Sequence, residues 1–180
     1  PIQCGFDENG NKDSDIINKI CKKKIILKET YILQNPLSPN IAAKKENKKI
    51  RIDSFKKLVN QKLDNKLIVE GAGGLCVPIN NNLLTTDIIK IFNLPLILVC
   101  RTSLGTINHT LLSLNILRQK KIKLKGLVFV GKKEPETIKT ILNFGKKIYK
   151  KKLDILAYIP HKKDINKSTI DKMKNLFTTL

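Results

Sequence analysis

Apolar residues fall into two patterns along these 180 residues. Four short segments are apolar almost throughout: Leu67-Ile68-Val69 running into Glu70, Leu94 to Val99, Gly126 to Gly131, and Leu153 to Ile159. Between them the apolar positions return at helical spacing. Ile52, Phe55, Leu58, Val59 and Leu63 predict an amphipathic helix ending at Asp64-Asn65. Thr86-Asp87 opens a helix through Ile88, Ile89, Ile91 and Phe92, and Leu111, Leu112, Leu114 and Leu117 mark one from Asn108 to Gln119. Further helices are predicted from Pro135 to Phe144 and from about Lys167 to Phe177. Strands that are apolar on both faces and alternate with helices indicate an α/β fold, a mostly parallel sheet covered by helices on both faces.

The beginning of the chain is less regular. Pro1 to Gly5 reads as the end of a strand and its turn. Asp13-Ser14-Asp15 ahead of Ile16, Ile17 and Ile20 predicts a helix with Asp or Ser at its N-cap. Asn35-Pro36-Leu37-Ser38-Pro39-Asn40 is a turn-rich connector into a short helix at Ala42-Ala43. The length suits one α/β domain, 1–180, and 41% hydrophobic residues is ordinary for a globular protein. No apolar run approaches the ~18 residues of a membrane span, and no signal-peptide pattern is present.

Charge and cysteines narrow the chemistry. The net charge of +20 comes from lysines spread along the chain, with three arginines and 5% aromatics. That composition favours salt-sensitive adhesion to polyanions over specific nucleic-acid recognition. It is also rich in Asn and Ile, as AT-biased coding would give. Cys4, Cys21, Cys76 and Cys100 are far apart with no C-x-x-C, which argues against zinc and against a disulfide framework. The expectation is reduced thiols in a cytoplasmic protein.

The most informative stretch is Val69-Glu70-Gly71-Ala72-Gly73-Gly74-Leu75-Cys76-Val77-Pro78. One carboxylate is delivered from a strand end into a loop whose glycines permit close approach of a ligand. A metal ion or phosphate-bearing ligand accounts for both features; a solvated Glu beside a glycine turn is the bland reading. Asp15 and Glu70, meeting at one sheet edge, would suit Mg²⁺, which takes one or two carboxylates with water and phosphate oxygens. An acid in a first helical turn is also favoured by the helix dipole alone. Leu104-Gly105-Thr106-Ile107-Asn108-His109 brings a loop to a helix start where free N–H groups can hold an anion, or where Thr or Asn merely caps. His109 is more often structural than an acid or base in such a position.

These segments resemble, in order, those of the dethiobiotin synthetases: Pro-Ile-Gln-Cys-Gly, Asp13-Ser14-Asp15, Asn35 to Pro39, Val69 to Pro78, Leu94 to Val99, Ser103 to Leu112, and Leu156-Ala157-Tyr158-Ile159-Pro160. The resemblance implies a P-loop NTPase-like fold and a homodimeric, ATP- and Mg²⁺-dependent ligase of biotin synthesis. Such enzymes convert 7,8-diaminononanoate and CO2 to dethiobiotin through a carbamate and a carbamic-phosphoric anhydride. It implies Asp15 and Glu70 as metal ligands and Glu70, Gly71, Ala72 and Gly73 along the nucleotide. It implies Thr106, Ile107 and Asn108 around the substrate carboxylate across the dimer interface. Val130 and Gly131, with Pro160, His161 and Lys162, fall beside the nucleotide base, and Cys4 near the substrate. The family's phosphate-binding loop and first strand, and a catalytic Lys, are expected ahead of Pro1, so no catalytic residue is assigned within the 180 and the domain is expected to be incomplete at its amino end. Cys4 stands where Thr or Ser is usual, and Val130 where an Asn reads the purine. Alternatives are a non-catalytic remnant, a related amidoligase of cobalamin synthesis, and a DNA-partitioning type of ATPase; the Gly-Thr-Ile-Asn-His segment argues against the last.

Overall fold

A computed structural model describes residues 2–21, 26–59 and 67–177, with side chains 58 and 59 left aside. The chain divides into two compact units, Pro1–Asn93 and Leu94–Leu180. All described strand pairs are parallel.

In the first unit β1 (Ile2–Cys4) pairs with β2 (Tyr31–Leu33), a three-residue strand that the sequence pattern did not predict. Helices α1 (Asp13–Cys21), α2 (Pro39–Lys45), α3 (Ile52–Val59) and α4 (Thr85–Phe92) complete it. Leu33, Ala42 and Phe55 are wholly buried, and Ile79, Ile88 and Phe92 close the cluster around them. The amphipathic stripe of α3 thus reaches the core through Phe55, and the ring of Tyr31 lies 5.7 Å from it. The Tyr31 hydroxyl donates to Ser54 Oγ at 2.9 Å and accepts from the Arg51 N–H at 2.9 Å, fastening β2 to the start of α3. The predicted end of that helix, Leu63 to Asn65, lies outside the described residues.

Two expectations are corrected here. Leu67 to Glu70 is not a strand: no described neighbour pairs with it, and Ile68 is 91% exposed. A strand exists only through its ladder, so apolarity alone does not make one. Neither Asp13 nor Ser14 caps α1. Asp13 is already its first helical residue, and the Asp15 carboxylate reaches back to accept the Lys12 N–H at 3.1 Å, the N3 half of a capping box. Ser14 is buried and donates its hydroxyl to Glu29.

The second unit is a three-stranded sheet in the order β3 (Leu96–Arg101), β4 (Leu124–Val130), β5 (Ile155–Ile159). Right-handed parallel connections need long crossovers. Helices α5 (Thr106–Gln119) and α6 (Pro135–Tyr149) supply them and pack against each other. Cys100, Leu127 and Phe129 meet Leu114, Ile138 and Ile141 on that face. On the other face Val128, Leu156 and Ala157 pack with Phe177, which follows α7 (Lys167–Met173) and a 3₁₀ turn (Lys174–Leu176). β4 is the central strand and is buried on both sides, as its unbroken apolar run predicts. β3 differs: Ile97 and Val99 are 40% and 62% exposed, so its apolar run is not buried on both faces. β3 also begins two residues later than the run, after Pro95, which has no N–H to give to a ladder. Among the described residues no helix is long and apolar enough to cross a membrane.

Candidate functional site

The first unit holds the acidic and glycine-loop residues. The glycine loop is folded onto the start of α4. Thr85 and Thr86 donate their N–H groups to the carbonyls of Val77 and Leu75 at 3.0 and 3.1 Å. The free donors of that helix end are therefore spent on the loop itself. Gly73 adopts φ +77°, a left-handed conformation that favours glycine, and it packs closely on Val77. Ala72 between the glycines is half-buried. At the head of this loop Glu70 is exposed, and no hydrogen bond or ion pair engages its carboxylate among the described residues. Asp15 is differently placed: its carboxylate caps α1 and lies 3.6 Å from Lys12 Nζ. Glu29, beside both Lys12 and Ser14, titrates below the usual carboxylate range; burial opposes this, but the Ser14 hydroxyl and the Lys12 ammonium outweigh it.

These carboxylates fit a hard cation in donor type, since both present oxygen to solvent and Glu70 is uncommitted. Among the described residues no cluster of three or more His, Cys, Asp or Glu side chains forms a cage. Cys4 ends β1 half-buried, and burial, with the Glu46 carboxylate second, raises its thiol above the ordinary range. It is a neutral, weak donor at physiological pH.

The second unit has a cleft of about 940 Å³ at the carboxyl ends of its strands, where ligands gather in parallel sheets. It brings together five of the residues singled out in the sequence: Thr106, Ile107, Val130, Gly131 and His161. Asn108, Pro160 and Lys162 are exposed and stand outside its lining. The helix at its edge begins two residues earlier than predicted, and its cap is Gly105 (φ +89°) rather than Thr or Asn. Thr106 is buried, with its hydroxyl donated to the Arg101 carbonyl. Its side chain braces the turn, and the N–H groups of Ile107 and Asn108 remain without acceptors among the described residues. A helix start of this kind favours an anion.

Gly131 holds the opposite wall. Its N–H donates to the Ile159 carbonyl at 2.9 Å, while the Thr102 N–H donates to the Val130 carbonyl at 3.1 Å. The ends of β3, β4 and β5 are thereby clamped together. Arg101, Thr102 and Lys132 also line the cleft, although none of them is among the site residues named from the sequence. Their only sequence signal is position, at or just past a strand end.

Parallel strands crossed by helices make this a P-loop NTPase-like α/β protein, and the family profile described as an AAA domain matches residues 1–169. The chain is 41% identical over 147 residues to the ATP-dependent dethiobiotin synthetase BioD of Agrobacterium fabrum, covering 81% of this chain and 67% of that protein. It is 41% identical over 171 residues to the protein of that name from Lawsonia intracellularis, covering 92% and 79%. The corresponding Rhodopseudomonas palustris protein is 34% identical over 177 residues, covering 98% and 78%. The chain belongs to the dethiobiotin synthetase family.

Proposed function

We propose that this chain works in an ATP-dependent ligase of biotin synthesis that closes the ureido ring of dethiobiotin. One amine of 7,8-diaminononanoate adds to CO2 and loses a proton, giving a carbamate. The carbamate oxygen attacks the γ-phosphorus of ATP with ADP as leaving group. The second amine then attacks the carbamic-phosphoric carbon and phosphate departs. Little of this requires covalent work by the protein, so positioning and charge stabilisation carry the catalysis.

The observation that carries the reading is the start of α5. On a 14-residue helix the N–H groups of Ile107 and Asn108 have no acceptor among the described residues, and Ile107 lines a cleft also lined by Arg101, Lys132 and His161. That is a receptor for a carboxylate, which the substrate carries at the end of an apolar chain. Val130 and Gly131 form the wall assigned to the nucleotide base. With no side-chain amide at Val130, selection there falls to backbone groups. Pro160, His161 and Lys162 flank it. Asp15 and Glu70 would hold Mg²⁺, which supplies charge neutralisation at phosphate oxygens when bound. Gly71, Ala72 and Gly73 let the backbone lie along the nucleotide, and Cys4 packs near the amines. Leu104 is fully exposed beside the cleft and Leu112 is 56% exposed on α5. A second copy of the chain covering them would make the homodimer with its site at the interface.

The experiment is to supply 7,8-diaminononanoate, bicarbonate, Mg²⁺ and ATP to the natural polypeptide containing this chain, and to follow phosphate and dethiobiotin together. Equal release of the two is expected. Phosphate without dethiobiotin would reassign the chain to another ATP-using reaction.

A further inference from the structure

We propose that the amino-terminal rim of the three-stranded sheet is a docking surface for the phosphodiester backbone of nucleic acid, bound without regard to base sequence. Residues 94–180 carry 19 Lys and Arg against five Asp and Glu, while residues 1–93 carry 16 against ten. No acid occurs between Asp87 and Glu134, and Asp154 is the only one between 137 and 163.

Topology gathers this charge. α5 and α6 lie side by side, and each leads into the next strand of the sheet, so both end at the same rim. The turns that follow are fixed to it: Leu96 N–H donates to the Lys123 carbonyl and Leu127 N–H to the Asp154 carbonyl, both at 2.8 Å. Arg118 at the end of α5 and Lys121 and Lys123 in the turn that follows are exposed. So are Lys146 and Lys147 in the last turn of α6 and Lys150 to Lys152 just beyond it, and none has a carboxylate within 4.0 Å among the described residues. The helix dipole favours cations in a last turn, yet it fades beyond that turn and does not account for Lys123, Lys151 or Lys152.

Compositional drift toward lysine does not account for the pattern either. Among the described residues four non-glycine positions are left-handed: Asn47, Asn93, Lys121 and Lys150. Asn suits that conformation and Lys does not. AT-rich coding supplies Asn as readily as Lys, and Asn stands at both positions in the first unit. At both positions on this rim a Lys is held there instead. With no tryptophan, and with Phe144, a half-exposed ring beside them, under Lys147 Nζ at 4.8 Å, these cations match phosphates better than a stacking platform for bases.

The experiment uses the full chain with a labelled 20-nucleotide RNA of mixed sequence, read by fluorescence anisotropy at 50 and 200 mM KCl. With about five phosphates neutralised, affinity should fall about 10²-fold between those salts. Replacing Lys146, Lys147, Lys150, Lys151 and Lys152 by Gln should weaken binding at 50 mM at least about 30-fold and flatten the salt dependence. The same replacement at Lys44, Lys45, Lys49, Lys56 and Lys57 should change it less than about threefold. The pair Lys121→Asn and Lys150→Asn, which relieves the backbone, should weaken binding while leaving the urea midpoint unchanged or higher. Equal loss in the first-unit variant, salt-independent binding, no binding at micromolar protein, or tighter association with phosphatidylserine vesicles than with RNA would each overturn the proposal.

Discussion

Gly131→Ala tests how the cleft is held. Gly131 has φ +128°, a region almost closed to residues with a side chain. A Cβ built there overlaps Thr102 Oγ1 and stands 3.6 Å from Thr102 Cβ. Thr102 cannot simply withdraw, because its N–H is bonded to the Val130 carbonyl at 3.1 Å. The backbone term costs about 1–3 kcal/mol. Displacing the Thr102 hydroxyl from its 3.4 Å contact with Val130 O adds roughly 0.5–1.5 kcal/mol. Together the loss should be about 2–4 kcal/mol. Urea unfolding of Gly131→Ala, Thr102→Ala and the double variant separates the two terms. In the Thr102→Ala background the clash is gone and only the backbone cost remains, so the cycle should give a coupling near 1 kcal/mol, above the ~0.5 kcal/mol scatter of independent sites. Gly10→Ala is the control: φ is +76° and nothing lies within 4 Å of its Cβ position, so about 1–2 kcal/mol is expected. A Gly131→Ala loss no larger than that of Gly10→Ala, or full additivity with Thr102→Ala, would refute the clamp.

Three other outcomes follow from the same geometry. Glu70→Gln should change the urea midpoint by the equivalent of no more than about 0.5 kcal/mol, since the exposed carboxylate has no partner among the described residues. It should lower Mg²⁺-dependent turnover at least tenfold (about 1.4 kcal/mol of transition-state stabilisation); an unchanged rate across a magnesium titration removes Glu70 from the metal site. Glu46 accepts hydrogen bonds from Lys48 Nζ, the Asn35 side chain, and the backbone N–H groups of Gln34 and Asn35, with Lys48 the strongest influence. They hold it at about 2 against an ordinary 4.5. A depressed carboxyl stabilises the fold above its unfolded value and loses that contribution as pH falls from about 4.5 toward about 2. The Glu46→Gln protein should therefore show a flatter stability profile over that window in pH-stepped urea melts, and an unchanged profile contradicts the assignment. Phe55→Ala empties a fully buried position and should cost about 3–5 kcal/mol by thermal or urea unfolding; less than about 1 kcal/mol would mean that the core around Leu33 recloses.

The second unit was the more legible from its residues. Its strands are apolar throughout or nearly so and alternate with helices of clear periodicity, so element type and order follow directly. Boundaries moved where one local effect outweighed the pattern. Pro95 delays β3, and Gly105 lets α5 begin at Thr106. The apolar stripe of α6 continues past Phe144 to Ile148, so that helix runs on to Tyr149. In the first unit β2 was hidden, because three residues are too few to show a period. Leu67 to Glu70 looked like a strand because composition cannot report whether a neighbour is present to bond it. Of the cleft, the glycine and helix-start residues carried recognisable patterns. Arg101, Thr102 and Lys132 stand at or just past strand ends, a position that the sequence shows, but no motif marks them individually as site residues.

The central claim is that the open helix start at Thr106 to Asn108 receives the carboxylate of a diamino acid that an ATP-driven reaction closes into a ring. Mass-spectrometric detection of dethiobiotin, made from isotopically labelled bicarbonate by the natural polypeptide containing this chain, tests it most directly. The account expects one labelled carbon in the ureido ring for each ATP consumed, and loss of product when the substrate carboxylate is replaced by an amide. Equal turnover of the acid and the amide, or ATP consumption with no labelled ring, would contradict it.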